Sequence, residues 1–121
     1  MRFEDLDVWK RSARLSATLY QTLSDLRDWG FKDQITRCGL SIPSNIAEGY
    51  ERDSPKETAR FLTVAKGSAG ELVTQTYIGI EANYIDREVG MAWIDETKQI
   101  ARMLGSLIKH HRTRSNEKPS A

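Results

Sequence analysis

Ser54-Pro55-Lys56-Glu57 is the stretch from which the rest of the chain can be read. A serine suits the N-cap because its oxygen accepts an otherwise unpaired backbone N–H. Proline fits the first helical position, where a missing donor costs nothing. The glutamate three residues after the serine completes a capping box, so a helix starts here. Phe61, Leu62, Ala65, Ala69, Leu72, Thr76 and Gly79 follow at helical spacing and predict an inward face on a helix reaching about Asn83. Gly67, Gly70 and Gly79 each weaken that helix by about 1 kcal/mol relative to alanine. Close approach of a neighbouring helix is the expected compensation.

On the N-terminal side, Ile35, Cys38, Ile42 and Ile46 predict a helix from about Phe31 to Ala47 or a little beyond. Pro43 lies inside it and should kink or divide it, with Ser41 and Ser44 placed to satisfy the backbone groups freed there. Earlier still, Leu6, Trp9, Ala13, Ser16, Tyr20 and Leu23 form one row of a helix over about Asp5 to Leu26. Val8, Ser12, Leu15, Leu19, Thr22 and Leu26 form a second row beside it. Gly30 is the expected stop.

On the C-terminal side, Asp86 can cap a last helix running to about His111. Val89, Trp93, Ile100, Met103 and Leu107 make one of its rows, and Ile94, Ala101, Leu104 and Ile108 the other. Short connections favour antiparallel neighbours. The predicted architecture is all-α, an antiparallel up-down-up-down four-helix bundle over residues 1–112. Residues 113–121 lack apolar anchors and are expected to form a flexible basic C-terminal tail.

The 121 residues suit one domain, and 39% hydrophobic with 29% charged residues is a soluble globular balance. Cys38 stands alone, which excludes an internal disulfide and favours a reducing compartment. No apolar run spans a bilayer and no apolar signal core follows Met1-Arg2-Phe3, so a cytoplasmic protein without membrane association is expected. The net charge of +1 conceals an asymmetry. Residues 1–97 carry 12 basic and 16 acidic side chains, whereas Lys98, Arg102, Lys109, Arg112, Arg114 and Lys118 face only Glu117 over residues 98–121. Such a basic end marks either a nucleic-acid or acidic-partner surface or a solvated tail. Lys10, Arg11 and Arg14 add a second basic cluster.

A reaction centre is not evident. His110 and His111 are the only histidines, and Leu107 and Ile108 stand where a di-iron bundle would need Glu three residues earlier. No phosphate loop is present, because the glycines are spread along helices. Neither a metal nor another cofactor is expected. Cys38 falls on an apolar row and reads as a buried structural thiol. Asn45 and Glu48 share a helical face, and Glu71 sits among small residues of the third helix. Antiparallel packing about Arg52-Asp53 would pair Glu48 with Arg60 and bring Glu71 towards Arg37. A buried, satisfied network fixing helix register is one reading of this cluster; a proton-transfer site is the other.

The same residues carry a resemblance. Ser41-Ile42-Pro43-Ser44-Asn45-Ile46-Ala47-Glu48-Gly49 resembles the signature of the 23S ribosomal RNA intervening-sequence proteins, also called four-helix-bundle proteins. Phe3-Glu4-Asp5-Leu6-Asp7-Val8-Trp9-Lys10 is similar to that family's opening. Ala65-Lys66-Gly67-Ser68 with Glu71-Leu72 is similar to its third-helix motif, although Ala69 stands where relatives usually carry leucine. The similarity runs from about Arg2 to Lys109. It implies an antiparallel four-helix bundle assembled into a ring of five, with no established enzymatic activity. Some relatives are encoded within segments inserted in ribosomal RNA genes, and a structurally similar retroelement accessory protein binds nucleic acid.

Independently, the double apolar rows on the first and last helices exceed what one small core should need. Val8, Leu15, Leu19 and the Ile94–Ile108 row are therefore expected in a subunit interface. Three functions follow as alternatives. One is a non-enzymatic oligomeric scaffold binding RNA or other nucleic acid through phosphates, since no RNA-recognition aromatic motif is present. The second is a protein-interaction module. The third is an enzyme using Glu48 or Glu71 with Asn45 in a cleft.

Overall fold

The computed structural model describes residues 1–116, and the capping serine stands where the sequence puts it. Four helices are formed: α1 (Asp7–Thr22), α2 (Trp29–Tyr50), α3 (Pro55–Glu81) and α4 (Arg87–Ser115), with one 3-10 turn at Phe3–Asp5. Ser54 accepts the Glu57 N–H at 3.2 Å, and Pro55 occupies the first position of α3. No strand occurs among the described residues.

Each helix packs antiparallel on its sequence neighbours, and α1 closes the square against α4. Short contacts fix the register. The Thr58 hydroxyl donates to the Gly49 carbonyl at 2.8 Å, and Cys38 Sγ donates to the Ser68 carbonyl at 3.2 Å. Lys32 Nζ donates to the Ser24 carbonyl, while Leu19 packs against Gly39, so α1 and α2 run in opposite directions. Tyr84 and Ile85 N–H groups both reach back to the Gly79 carbonyl, turning the chain from α3 into α4 through Asn83 at φ 63°. Asparagine tolerates that left-handed conformation better than most side chains.

The core holds Leu19, Ile35, Ile42, Ile46, Leu62, Leu72, Ile100 and Leu104, all fully buried. Buried hydroxyls are satisfied within their own helices: Thr76 donates to Leu72 O at 2.7 Å and Thr97 to Trp93 O at 2.6 Å. An unpaired hydroxyl in such a core would cost about 1–3 kcal/mol.

Four expectations change. Gly30 does not end the first helix; α1 stops at Thr22, and Gly30 lies in the first turn of α2. Asp28 takes the N-cap there by accepting the Phe31 N–H at 3.0 Å. Pro43 does not divide α2. Asn45 Nδ2 donates to Ser41 O at 2.8 Å and Ser41 Oγ to Cys38 O at 2.6 Å, so side chains engage carbonyls on the approach to the proline. Ser44 is exposed. The last helix continues past His111 to Ser115, with Thr113 Oγ1 donating to Lys109 O at 2.9 Å. Of the expected tail, Thr113, Arg114 and Ser115 are thus helical, and residues 117–121 lie outside the described residues.

The fourth change concerns the subunit interface. Val8, Leu15, Leu19, Ile94, Leu104 and Ile108 are buried within the single chain and only Ala101 of that row is half-buried. Both rows are consumed because α1 and α4 each pack on two neighbours. The exposed apolar residues are others, including Trp29, Leu40, Val64 and Ile78.

The glycines of α3 divide in the same way. A Cβ on Gly79 would lie 2.5 Å from Ile85 Cδ1 and 2.8 Å from Phe31 Cζ, whereas Gly67 and Gly70 have nothing within 4 Å. Close approach compensates for Gly79 alone. Gly79→Ala should therefore lower the urea unfolding free energy by about 1–3 kcal/mol. Gly67→Ala should raise it by up to about 1 kcal/mol. Equal responses of the two variants would contradict this packing.

Candidate functional site

The basic residues separate onto distinct surfaces. Lys98, Arg102, Lys109 and Arg112 follow steps of four, seven and three, which align them on one exposed row of α4 about 21 Å long. Gly105 lies in the same row, and Lys66 of α3 reaches over it, with Nζ 3.6 Å from where a Cβ would stand. Lys66, Gly105, Lys109, Arg112 and Thr63 line a hollow of about 300 Å³ between α3 and α4. Arg112 Nη2 donates to Thr63 Oγ1 at 3.5 Å, a long contact that leaves most of the guanidinium available. Among the described residues, none of these five cations enters an ion pair. Their charges are therefore uncompensated by direct contact.

Arg11 does not join them. Its Nε donates to Glu96 Oε2 at 2.9 Å and its Nη2 to Gln99 Oε1 at 2.7 Å, which pins α1 to α4. The bond to Arg11 holds the Glu96 carboxyl below its ordinary range, and Glu96 correspondingly raises Arg11. Lys10 and Arg14 remain exposed on α1, one helical turn apart. Arg114 also leaves the row: sixteen residues beyond Lys98, it points about 160° away around α4. It lines a cleft at the end of the bundle with His110 and His111.

The His111 ring is 7% exposed, and its Nε2 lies 2.9 Å from the Tyr50 hydroxyl. Burial lowers its pKa below the ordinary histidine value, and the charges of His110 and Arg114 act in the same direction. Burial likewise pushes the Tyr50 phenol up.

The polar cluster is not a buried network. Glu48 is exposed and pairs with Arg52, one turn on in its own helix, instead of Arg60. Arg60 bonds Glu57 at 2.8 Å, and both arginines lie over the Phe61 ring, at 4.8 Å for Arg52 and 4.4 Å for Arg60. Competition from these local carboxylates and the aromatic face explains the changed partner. Asn45 is occupied with the Ser41 carbonyl. Glu71 does share a shallow hollow with Arg37, Cys38 and Gln75, as the antiparallel register predicts, but Arg37 itself bonds Asp33 at 3.0 Å. The register sets Glu48 and Glu71 about 15–20 Å apart along the bundle, too far for one substrate atom to meet both.

Gly49 is a packing residue, since a Cβ there would stand 3.2 Å from Thr58 O. Gly67 is open, and Ser68 supplies only its carbonyl to Cys38. The Cys38 thiol is pushed up to about 11, chiefly by burial, and so remains protonated at neutral pH. The described residues contain no group of three or more His, Cys, Asp or Glu side chains able to hold a metal ion. None of the described helices is long and apolar enough to cross a membrane.

The family model for 23S rRNA-intervening sequence proteins matches residues 4–106. The chain belongs to that family. A solved structure from Bacteroides thetaiotaomicron VPI-5482, described as a protein with unknown function from the S23 ribosomal protein family, is similar at 26% identity. It matches 84% of this chain and 98% of its own, with a TM-score of 0.79. No curated protein matches. This member of the 23S rRNA-intervening sequence family carries its Ser41–Gly49 motif inside the matched span. Lys109, Arg112 and Arg114 lie beyond it, while Lys66, Lys98 and Arg102 lie within.

Sequence reading missed Lys66 and Tyr50. Lys66 joins the α4 row only through the α3–α4 register, and the gap at Gly105 is the one local hint. Tyr50 follows Gly49 directly, yet its partner lies 61 residues away.

The buried imidazole makes stability depend on pH. A histidine with a lowered pKa resists protonation in the native state, whereas the unfolded chain takes up a proton near pH 6.5. Stability should be complete above that pH and fall as the pH drops below it. Comparison of urea midpoints for the parent and His111→Gln chains checks this; an identical pH slope would contradict it.

Proposed function

We propose that the protein is a non-enzymatic, homo-oligomeric scaffold that binds RNA through its phosphate backbone. The observation that carries this reading is the row of Lys98, Arg102, Lys109 and Arg112, joined by Lys66 and free of ion pairs among the described residues. Uncompensated cations on a rigid helix attract phosphates and release counterions when they bind. Among the described residues no aromatic side chain lines the hollow beside the row, so phosphate contact rather than base sequence should dominate. Lys10 and Arg14 on α1 supply a secondary cationic patch.

Self-assembly, with five copies as the number implied by the family resemblance, is supported by apolar side chains left uncovered. Trp29 is 73% exposed and Ile78 54% exposed. Large exposed hydrophobic residues gain most from burial against another subunit. The cationic row would then be repeated on each copy.

RNA affinity should fall steeply with salt. Lys109→Gln and Arg112→Gln should each weaken binding uniformly across sequences and reduce the log–log salt slope by about 1. Arg114→Gln, on the opposite side of α4, should leave RNA affinity unchanged. A titration in which the row variants match the parent would refute the RNA reading, and sedimentation showing a monomer at micromolar concentration would refute assembly.

A further inference from the structure

The cleft at the α2–α3 end of the bundle has no part in the RNA-binding row. It encloses about 340 Å³ and lies between the C-terminal halves of α2 and α4 and the start of α3. We propose that it is a binding site for a phosphate-class anion, either inorganic phosphate or a phosphate monoester, held by His111, Arg114 and Arg52.

Three features of the cleft support this. The first is an unpaired donor or acceptor. His111 is more than nine-tenths buried and lines the cleft, yet among the described residues its Nδ1 has no hydrogen-bond partner. A neutral imidazole carries one N–H donor and one acceptor nitrogen. When the Tyr50 hydroxyl donates to Nε2, the proton sits on Nδ1 as a buried donor lacking an acceptor. Leaving such a group unpaired is costly, so a shift of the cleft's exposed side chains that lets an anion oxygen reach the sealed Nδ1 is favoured.

The second is charge. Arg52 and Arg114 both line the cleft, with His110 beside them, and among the described residues Asp53 is the one acidic residue in its wall. Arg52 is shared with Glu48, but Arg114 forms no ion pair among the described residues. A guanidinium presents paired N–H groups that match two oxygens of a phosphate.

The third is the first turn of α3, which opens on the cleft through Ser54 and Pro55. Pro55 has no N–H and the Glu57 N–H is bound by Ser54, so the turn contributes its dipole, which favours negative charge. The Ser54 hydroxyl oxygen already accepts from Glu57, so its own proton is available to donate outward. The volume admits a phosphate monoester with part of its alcohol, and Leu6 and Leu107 give an apolar wall against which that group rests.

The test uses the full chain and millimolar inorganic phosphate, followed by the His111 ring nitrogens in NMR spectra. The expected result is a saturable shift of the His111 signals that sodium chloride at equal ionic strength does not reproduce. Arg114→Gln, an exposed substitution, should weaken phosphate binding about tenfold while leaving RNA affinity as in the parent. Lys109→Gln should do the reverse, so the anion site and the RNA row fail or stand separately. Tyr50→Phe should alter the His111 shift while retaining the helical circular dichroism. A nucleoside monophosphate compared with its nucleoside separates a monoester ligand from free phosphate. His111 signals that ignore phosphate, or that follow chloride equally, would overturn the proposal, as would an unchanged affinity in Arg114→Gln.

Discussion

The buried hydrogen bond from the Thr58 hydroxyl to the Gly49 carbonyl sets the geometry on which the rest of the bundle depends. It closes the turn between α2 and α3 at a place where no side chain fits, because a Cβ on Gly49 would press on both the Thr58 carbonyl and Phe61. One fixed point between two long antiparallel helices determines every later pairing. Cys38 meets Ser68 and Glu71 arrives beside Arg37 as consequences of that register. The family motif is thus a device for helix approach. Its exposed glutamates are incidental to that role.

The same register propagates into α4. The turn through Asn83 lays α4 back along α3 so that Lys66 crosses Gly105 and enters the cationic row. At the opposite end it places Tyr50 against His111 and leaves an imidazole buried beside arginines. Two surfaces of different chemistry therefore arise on one helix. One is exposed and screened by water, where charge acts through solvent. The other is recessed, where desolvation and individual hydrogen bonds weigh more than distant charge.

Much of this was legible in the sequence, and the lapses share a cause. The Ser54 N-cap, the helical periodicities and the antiparallel order depend on local spacing and match the structure; the capping box is only half formed, because the Glu57 carboxylate bonds Arg60 instead of reaching back to Ser54. Gly30 was misread because Asp28, two residues before it, competes for the helix boundary with a stronger hydrogen bond. The apolar rows of α1 and α4 were correctly located but wrongly assigned to an interface, since periodicity counts faces without showing how many neighbours each helix has. Glu48 took Arg52 because a side chain four residues away is always in reach, whereas Arg60 depends on tertiary placement. The cationic end was visible as composition; its division between Arg112 and Arg114 required only the helix to continue past His111.

On the proposed RNA-binding reading, that continuation also determines how the row meets its ligand. Cations on a disordered tail fold around a partner and lose conformational entropy as they do so. Lys109 and Arg112 stand on a helix that is already formed, so their spacing is fixed before any encounter. The row therefore acts as a straight ruler about 21 Å long. A nucleic-acid backbone that runs straight over that distance touches it from end to end, and one that curves away touches it at a point. On that proposed reading, selection on such a surface is by local curvature, which base composition affects only indirectly.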